Sequence, residues 1–298
     1  MPVVTRPIIS RRRFLQYASA AAAAFPQSGG AALPVPAGRR IMSDDSAVLR
    51  STFTQAGERM IHALVSVLPA PRQAPPVVLV HGLALSGQYM VPTADELAPH
   101  YHVLVPDFPG FGDSEKPSRA LDVPLLADAL AGWMETVGCP RAALLGNSFG
   151  CQIIVDFAAR YPHLVACAVL QGPTTPPDER SWLMQFIRWQ QNSQYNPPKM
   201  GKVAGIDYAK CGITRALATF EFSLRDEPEE KLAAIQAPTL VVRGAKDPIC
   251  RQYWAERVAA ALPNGRLEII PDVAHTLVFT SPEALVSVSR PFIDAVTR

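Results

Sequence analysis

The sequence predicts an α/β domain with a mostly parallel sheet, on three observations. Apolar residues 142–145, the segment Gly146-Asn147-Ser148-Phe149-Gly150 and a helically spaced run over 151–159 read as strand, sharp turn and helix. Short, continuously apolar runs at 77–80, 103–105, 165–170 and 240–242 have the pattern of strands covered on both faces, as a parallel sheet requires. Residues 122–137 carry apolar side chains at helical spacing and suit a crossover between two of those strands.

The chain begins differently. Residues 47–54 and 59–67 alternate apolar and polar around Gln55-Ala56-Gly57, which predicts an antiparallel hairpin at one sheet edge. The strand at 77–80 follows and ends in His81-Gly82-Leu83, and the strand at 102–107 leads into a Gly- and Pro-rich loop at 108–117. The helix at 122–137 starts at Asp122, whose side chain can accept a first-turn N–H. At the turn, a serine in a strained backbone needs small neighbours two residues before and after it, so that strand and helix can pass closely; Gly146 and Gly150 supply them. After the strand at 165–170, ended by Gly172-Pro173, the alternation stops. Residues 174–237 hold Trp182, Phe186, Trp189, Tyr195, Tyr208, Phe220 and Phe222 among prolines and charges, without strand signals. The sheet resumes at 238–244, its last strand is expected at 266–270, and 281–296 reads as a closing amphipathic helix.

A lone Gly-x-Ser-x-Gly arises by chance in roughly one chain of this length in ten, so its context has to decide. Here an aspartate and a histidine follow in the order that nucleophile-elbow enzymes use. On these residues the chain from about 46 to 298 resembles the α/β-hydrolase superfamily. The resemblance implies a core of residues 46–173 and 238–298, with a helical lid at 174–237 inserted before the acid-bearing strand. It implies Ser148 as nucleophile, Asp247 of Gly244-Ala245-Lys246-Asp247 as acid and His275 as base, with the backbone N–H groups of Leu83 and Phe149 as the oxyanion hole. His81, Asp107 and Ser114 then shape loops and take no part in the chemistry. Trp182, Phe186 and Trp189 share one face of a helical segment, either as a pocket wall or as the lid's own core. Arg180 and Arg188 are candidates for holding a substrate carboxylate, or are plain surface charge.

A serine hydroxyl is a weak nucleophile at neutral pH and needs a base within reach, with a third group to orient that base. Ser148, His275 and Asp247 would fill those roles with no metal and no organic cofactor. Serine at position 148, where dehalogenases and epoxide hydrolases of the superfamily use aspartate, leaves acyl-transfer chemistry. The first expectation is therefore a carboxylesterase acting on a small-molecule substrate, a small to medium apolar ester. Three alternatives stay open: a carbon–carbon bond hydrolase of ring-cleavage products, suggested by Asn147 in the elbow; a cofactor-free perhydrolase; and a ligand-binding protein that keeps the fold without turnover.

At 298 residues and 48% hydrophobic content, the chain can bury a large core. Ser10-Arg11-Arg12-Arg13-Phe14-Leu15-Gln16 and the Ala-rich stretch after it resemble a twin-arginine export signal, too short to span a bilayer. That reading makes residues 1–45 signal and tail, the export machinery a partner of the precursor, and the mature protein periplasmic or secreted without a stable membrane anchor. Removing residues 1–24 takes away four arginines and no acidic residue, so the formal charge moves from +2 to −2. The mature domain thus gives no reason to expect nucleic-acid binding. Five cysteines lack zinc or disulfide spacing, and Cys151 and Cys167 read as small buried hydrophobes.

Overall fold

A computed structural model describes residues 48–69 and 74–296; the expected export signal lies outside the described residues. In chain order the strands are β1 (Leu49–Ala56), β2 (Arg59–Ser66), β3 (Val77–Val80), β4 (Val103–Pro106), β5 (Ala142–Asn147), β6 (Val165–Gln171), β7 (Thr239–Gly244) and β8 (Gly265–Ile270). The helices are α1 (Gly87–Leu97), α2 (Val123–Thr136), α3 (Phe149–Arg160), α4 (Trp182–Ser193), α5 (Pro198–Cys211), α6 (Ile213–Arg225), α7 (Gln252–Ala261), α8 (Leu277–Thr280) and α9 (Pro282–Val296).

Among the described residues the strands make one sheet in the order β1-β2-β4-β3-β5-β6-β7-β8. The β1–β2 hairpin runs from the pair Leu49↔Ser66 to Ala56↔Arg59, β2 pairs antiparallel with β4, and every later pairing is parallel. Every residue of β3, β5, β6 and β7 is buried, because helices cover both faces. Alternate side chains serve opposite faces. Val78, Val80 and Leu144 pack with Trp133 of α2, Phe157 of α3 and Trp254 of α7. Val77, Leu79 and Leu145 pack with Tyr89 and Met90 of α1 and with Ile293 of α9. Asp122 caps α2 as expected, accepting from the Leu125 N–H at 3.1 Å.

Two helices, α1 and α7, are not among the elements expected from the sequence. Helix α1 contains Pro92 in its interior, which argues against a helix on local grounds; burial of Tyr89, Met90, Val91, Ala94 and Leu97 overrides that. Ser86 caps it, accepting from Gln88 N–H.

The loop residues given structural roles have them. Asp107 accepts from Gly87 N–H at 2.6 Å and Asp113 N–H at 2.7 Å, and bonds His62 Nδ1 at 2.8 Å. Ser114 Oγ donates to Asp107 O and accepts from His62 N–H. His81 is buried with Nδ1 on Gly82 O, and its Nε2 accepts Phe108 N–H at 3.1 Å. Burial lowers its pKa, which suits the neutral ring that this acceptor role needs. All five cysteines are buried free thiols.

Between β6 and β7 the chain leaves the sheet for α4, α5 and α6, the helical insertion at residues 174–237. No described helix is long and apolar enough to cross a membrane.

Candidate functional site

The site forms at the carboxyl ends of β3, β5, β6 and β7, where the loops of a parallel sheet converge. Ser148 sits between β5 and α3 with φ 57° and ψ −120°, a positive-φ conformation that a side-chain-bearing residue adopts only when its surroundings force it. The forcing groups are visible. A Cβ on Gly146 would lie 2.7 Å from Ile154 Cδ1, and one on Gly150 would lie 2.8 Å from His81 O and collide with Val80 O. Those two glycines let the start of α3 press against the end of β3. That approach sets Gly150, in the first turn of α3, against the carbonyls of Val80 and His81.

Asp247 and His275 make a buried pair with 2.8 Å between Oδ2 and Nδ1; the residues are 2% and 4% exposed. The other carboxylate oxygen of Asp247 accepts the Ile249 and Cys250 N–H groups at 2.8 and 2.9 Å, so both oxygens are used and the carboxylate cannot swing. Arg243, buried on β7, grips the same loop by donating to the carbonyls of Ala245, Asp247 and Cys250. His275 Nε2 is buried and has no hydrogen-bond partner among the described residues.

The serine and the histidine meet through their neighbours. Ser148 N–H donates to Gln171 O at 3.0 Å. The Asn147 and Gln171 side-chain amides, joined to one another at 2.5 Å, both donate to His275 O, at 3.3 and 3.1 Å. Gly172 has φ 60°, and a Cβ there would stand 2.9 Å from two atoms of the His275 ring and 3.2 Å from Asp247 Oδ2. Gln171, Gly172 and Arg243 were not singled out from sequence as site residues. The one signal was a polar Gln closing an otherwise apolar strand.

The insertion reaches the site through polar side chains. In α4 the buried residues are Gln185 and Asn192, seven apart and so on one face. Asn192 Oδ1 accepts the His275 N–H at 3.2 Å. From α5, Asp207 accepts from Ser86 Oγ at 2.8 Å, and burial pushes its carboxyl up to about 6.

The expected substrate contacts divide. Trp182, Phe186 and Trp189 are all half-buried on α4. Trp182 packs edge-on against Phe220 of α6, with centroids 4.5 Å apart, and its indole donates to Glu221 at 2.7 Å, so it binds helix to helix within the insertion. Phe186 and Trp189 contact each other at 6.0 Å. Arg188 does not offer a free guanidinium, contrary to the expectation, because it is clamped by both carboxylate oxygens of Glu179. Arg180 likewise pairs with Glu229. The insertion buries both arginines far enough that unpaired charge would be costly, and it supplies its own anions.

Residues 77–288 match the alpha/beta hydrolase family. The chain is 26% identical over 275 residues to Lipase 3 of Moraxella sp. (strain TA144), covering 84% of this chain and 86% of that one. It is 30% identical over 207 residues to the 2-hydroxy-6-oxononadienedioate/2-hydroxy-6-oxononatrienedioate hydrolase 2 of Pseudomonas putida, covering 60% and 72%. Among solved structures, a thermophilic esterase from Thermogutta terrifontis shares the fold with a TM-score of 0.68 at 24% identity, covering 85% of this chain and all of that one.

Proposed function

The chain belongs to the alpha/beta hydrolase family, and within it we propose that it hydrolyses carboxylic esters of small to medium apolar acyl groups through Ser148, His275 and Asp247. One observation carries the reading. A buried histidine has one ring nitrogen held by a fully bonded carboxylate and the other without a partner, and its carbonyl is held by Asn147 and Gln171, the residue before a serine in a forced backbone turn and the acceptor of that serine's N–H. Asp247 keeps the proton on Nδ1, so Nε2 is the basic nitrogen. His275 takes the proton of Ser148 as Oγ attacks the ester carbonyl carbon. The oxygen of the tetrahedral intermediate meets the N–H groups of Leu83 and Phe149, each such donor typically worth ~10²–10³ in rate. Collapse expels the alcohol, which takes the proton back from His275, and water releases the acid by the same route.

The test has two arms. A fluorophosphonate should label Ser148 stoichiometrically, and a series of esters of graded acyl length should turn over faster than a vinylogous 1,5-diketone acid. Turnover of the diketone acid alone would favour carbon–carbon bond hydrolysis, and labelling without turnover of any ester or of the diketone acid would replace hydrolysis with a binding role.

Carbon–carbon bond hydrolysis is the second reading, favoured by the 30% identity to the Pseudomonas putida hydrolase. Such a substrate carries carboxylates, and Arg180 and Arg188, the cations in view for them, are already neutralised by glutamates. Ester hydrolysis is preferred for that reason.

The insertion is read as a lid over this site. Export is a further part of the reading, resting on residues 10–16: replacing Arg11 and Arg12 together by lysine should hold the precursor in the cytoplasm, and an unchanged exported fraction would remove the signal assignment.

A further inference from the structure

Helix α4 buries the wrong residues for a helix held by its apolar side. Leu183 and Ile187 are 53% and 39% exposed, while Gln185 and Asn192 are buried. Gln185 is accounted for within the insertion, since its amide donates to Glu179 O at 3.1 Å. Asn192 is not. Its Oδ1 crosses from the insertion to the core and takes the backbone N–H of His275. Its Nδ2 faces Asn196 Oδ1 at 3.4 Å, and that oxygen also accepts from Thr276 Oγ at 2.9 Å, so two successive residues of the histidine loop are tied to two asparagines one turn apart.

From the opposite side, Asn147 and Gln171 donate to His275 O. The peptide groups flanking His275 Cα are therefore held from two directions: the carbonyl by the sheet and the amide by the insertion. Asp247 holds the ring but cannot by itself set where along the loop the ring sits. We propose that Asn192 is a positioning residue for His275: the insertion completes the site by seating the base, and a displaced α4 leaves His275 with its ring still on Asp247 but out of line with Ser148. The proposal rests on the Ser148–His275–Asp247 reading above.

The experiment compares Asn192→Ala with Asn192→Asp, which keeps an acceptor at the same place, by the rate of fluorophosphonate labelling per folded molecule and by kcat and KM on one ester. Labelling reads the serine and its base without depending on how a substrate fits the lid. With displacement on the order of 1 Å able to cost ~10² in rate, Asn192→Ala should lower the labelling rate and kcat together by roughly tenfold to a hundredfold with KM within about twofold, and Asn192→Asp should recover most of the loss. A merely structural role would lower the melting temperature and leave labelling per folded molecule unchanged, and that result would overturn the proposal; so would Asn192→Asp labelling as slowly as Asn192→Ala. Should Asn192→Ala fail to fold, Asn192→Leu removes the acceptor for the His275 N–H at nearly constant volume. It should slow labelling per folded molecule by the same factor of roughly tenfold to a hundredfold, and a rate equal to wild type would overturn the proposal. A wild-type protein that is not labelled at all would bring down the Ser148 reading and this one with it, whereas labelled wild type beside equally labelled Asn192→Ala brings down only the role of Asn192.

Discussion

Helices α3 and α4 are equal in length at 12 residues and are built on opposite principles. Helix α3 buries ten of its residues, among them Phe149, Ile153, Ile154, Val155 and Phe157. Helix α4 buries only Gln185 and Asn192, and α6 only Thr219 and Ser223. Apolar burial at ~25 cal/mol per Å² is large and non-directional, so α3 is fixed strongly but could tolerate many apolar replacements. Buried hydrogen bonds contribute about 0.5–1.5 kcal/mol each and only in one geometry. The insertion is thus anchored in the core by Met200 and Ala204 of α5, while α4 and α6 depend on polar contacts that hold in one geometry only.

The comparison predicts that changes at the sheet ends, and at Asn192 where the insertion touches His275, alter rate without changing selectivity, and that changes at Phe186 and Trp189 alter selectivity instead. Ser148→Ala should abolish ester turnover, by ~10⁴ or more, with an unchanged melting temperature. His275→Ala should match it and the double variant should be little worse, because relay members act as a unit; multiplicative losses in the double variant would show that His275 is not the base.

Gly172→Ala comes next. The added methyl presses on the His275 ring in a backbone of φ 60°, and kcat should fall by roughly 10² for every ester alike. A loss confined to long substrates would put Gly172 in the pocket instead of behind the histidine.

Within the insertion the effects should separate. If Phe186 and Trp189 wall the acyl pocket, alanine at either should cost a long-chain ester roughly tenfold to fiftyfold in kcat/KM, at ~0.8 kcal/mol per lost methylene contact, and hardly touch an acetyl ester. Trp182→Ala, which removes the Phe220 contact and the Glu221 bond, should instead lower the melting temperature by roughly 4–8 °C, as expected for about 2 kcal/mol in a domain of this size, and weaken all esters together. Parallel profiles for the three variants would erase the distinction.

A further effect, on stability and not on activity, is a pH dependence. Asp207 is raised to about 6 from 3.8, chiefly by burial. Between those values the folded protein holds a proton that the unfolded chain does not, so stability from this group is present at low pH and is lost as pH rises through 6, by at most about 3 kcal/mol. Asp207→Asn should flatten the difference in unfolding free energy between pH 4 and pH 7. An identical slope in both proteins would show that the Ser86 bond, not burial, governs the carboxyl.

Much of the fold is legible along the chain because its determinants are local. Continuous apolar runs make doubly covered strands, the Gly146 and Gly150 spacing makes the sharp turn, and Asp122 starts its helix; each depends on residues within a few positions. Ser148, Asp247 and His275, proposed as the relay, are picked out by their order and by the strands they follow, and the structure joins Asp247 to His275. Helix α1 was hidden by Pro92. Arg188 in the insertion was misjudged for a different reason: whether a mostly buried cation is free depends on a glutamate nine residues away, and the helical period of α4 cannot say whether its apolar or its polar face turns inward.

What the sequence determined by itself, then, is the strands of the sheet and the serine turn, since hydrophobic periodicity and glycine sterics act through near neighbours. Only the tertiary structure decided that Gly172 backs the histidine, that Arg243 grips the acid loop, that Glu179 and Glu229 neutralise the arginines and that Asn192 reaches His275. Each of these is a directional contact between segments brought together by folding. It is set by the rotation and depth at which a helix or loop docks, and no pattern along the chain encodes that.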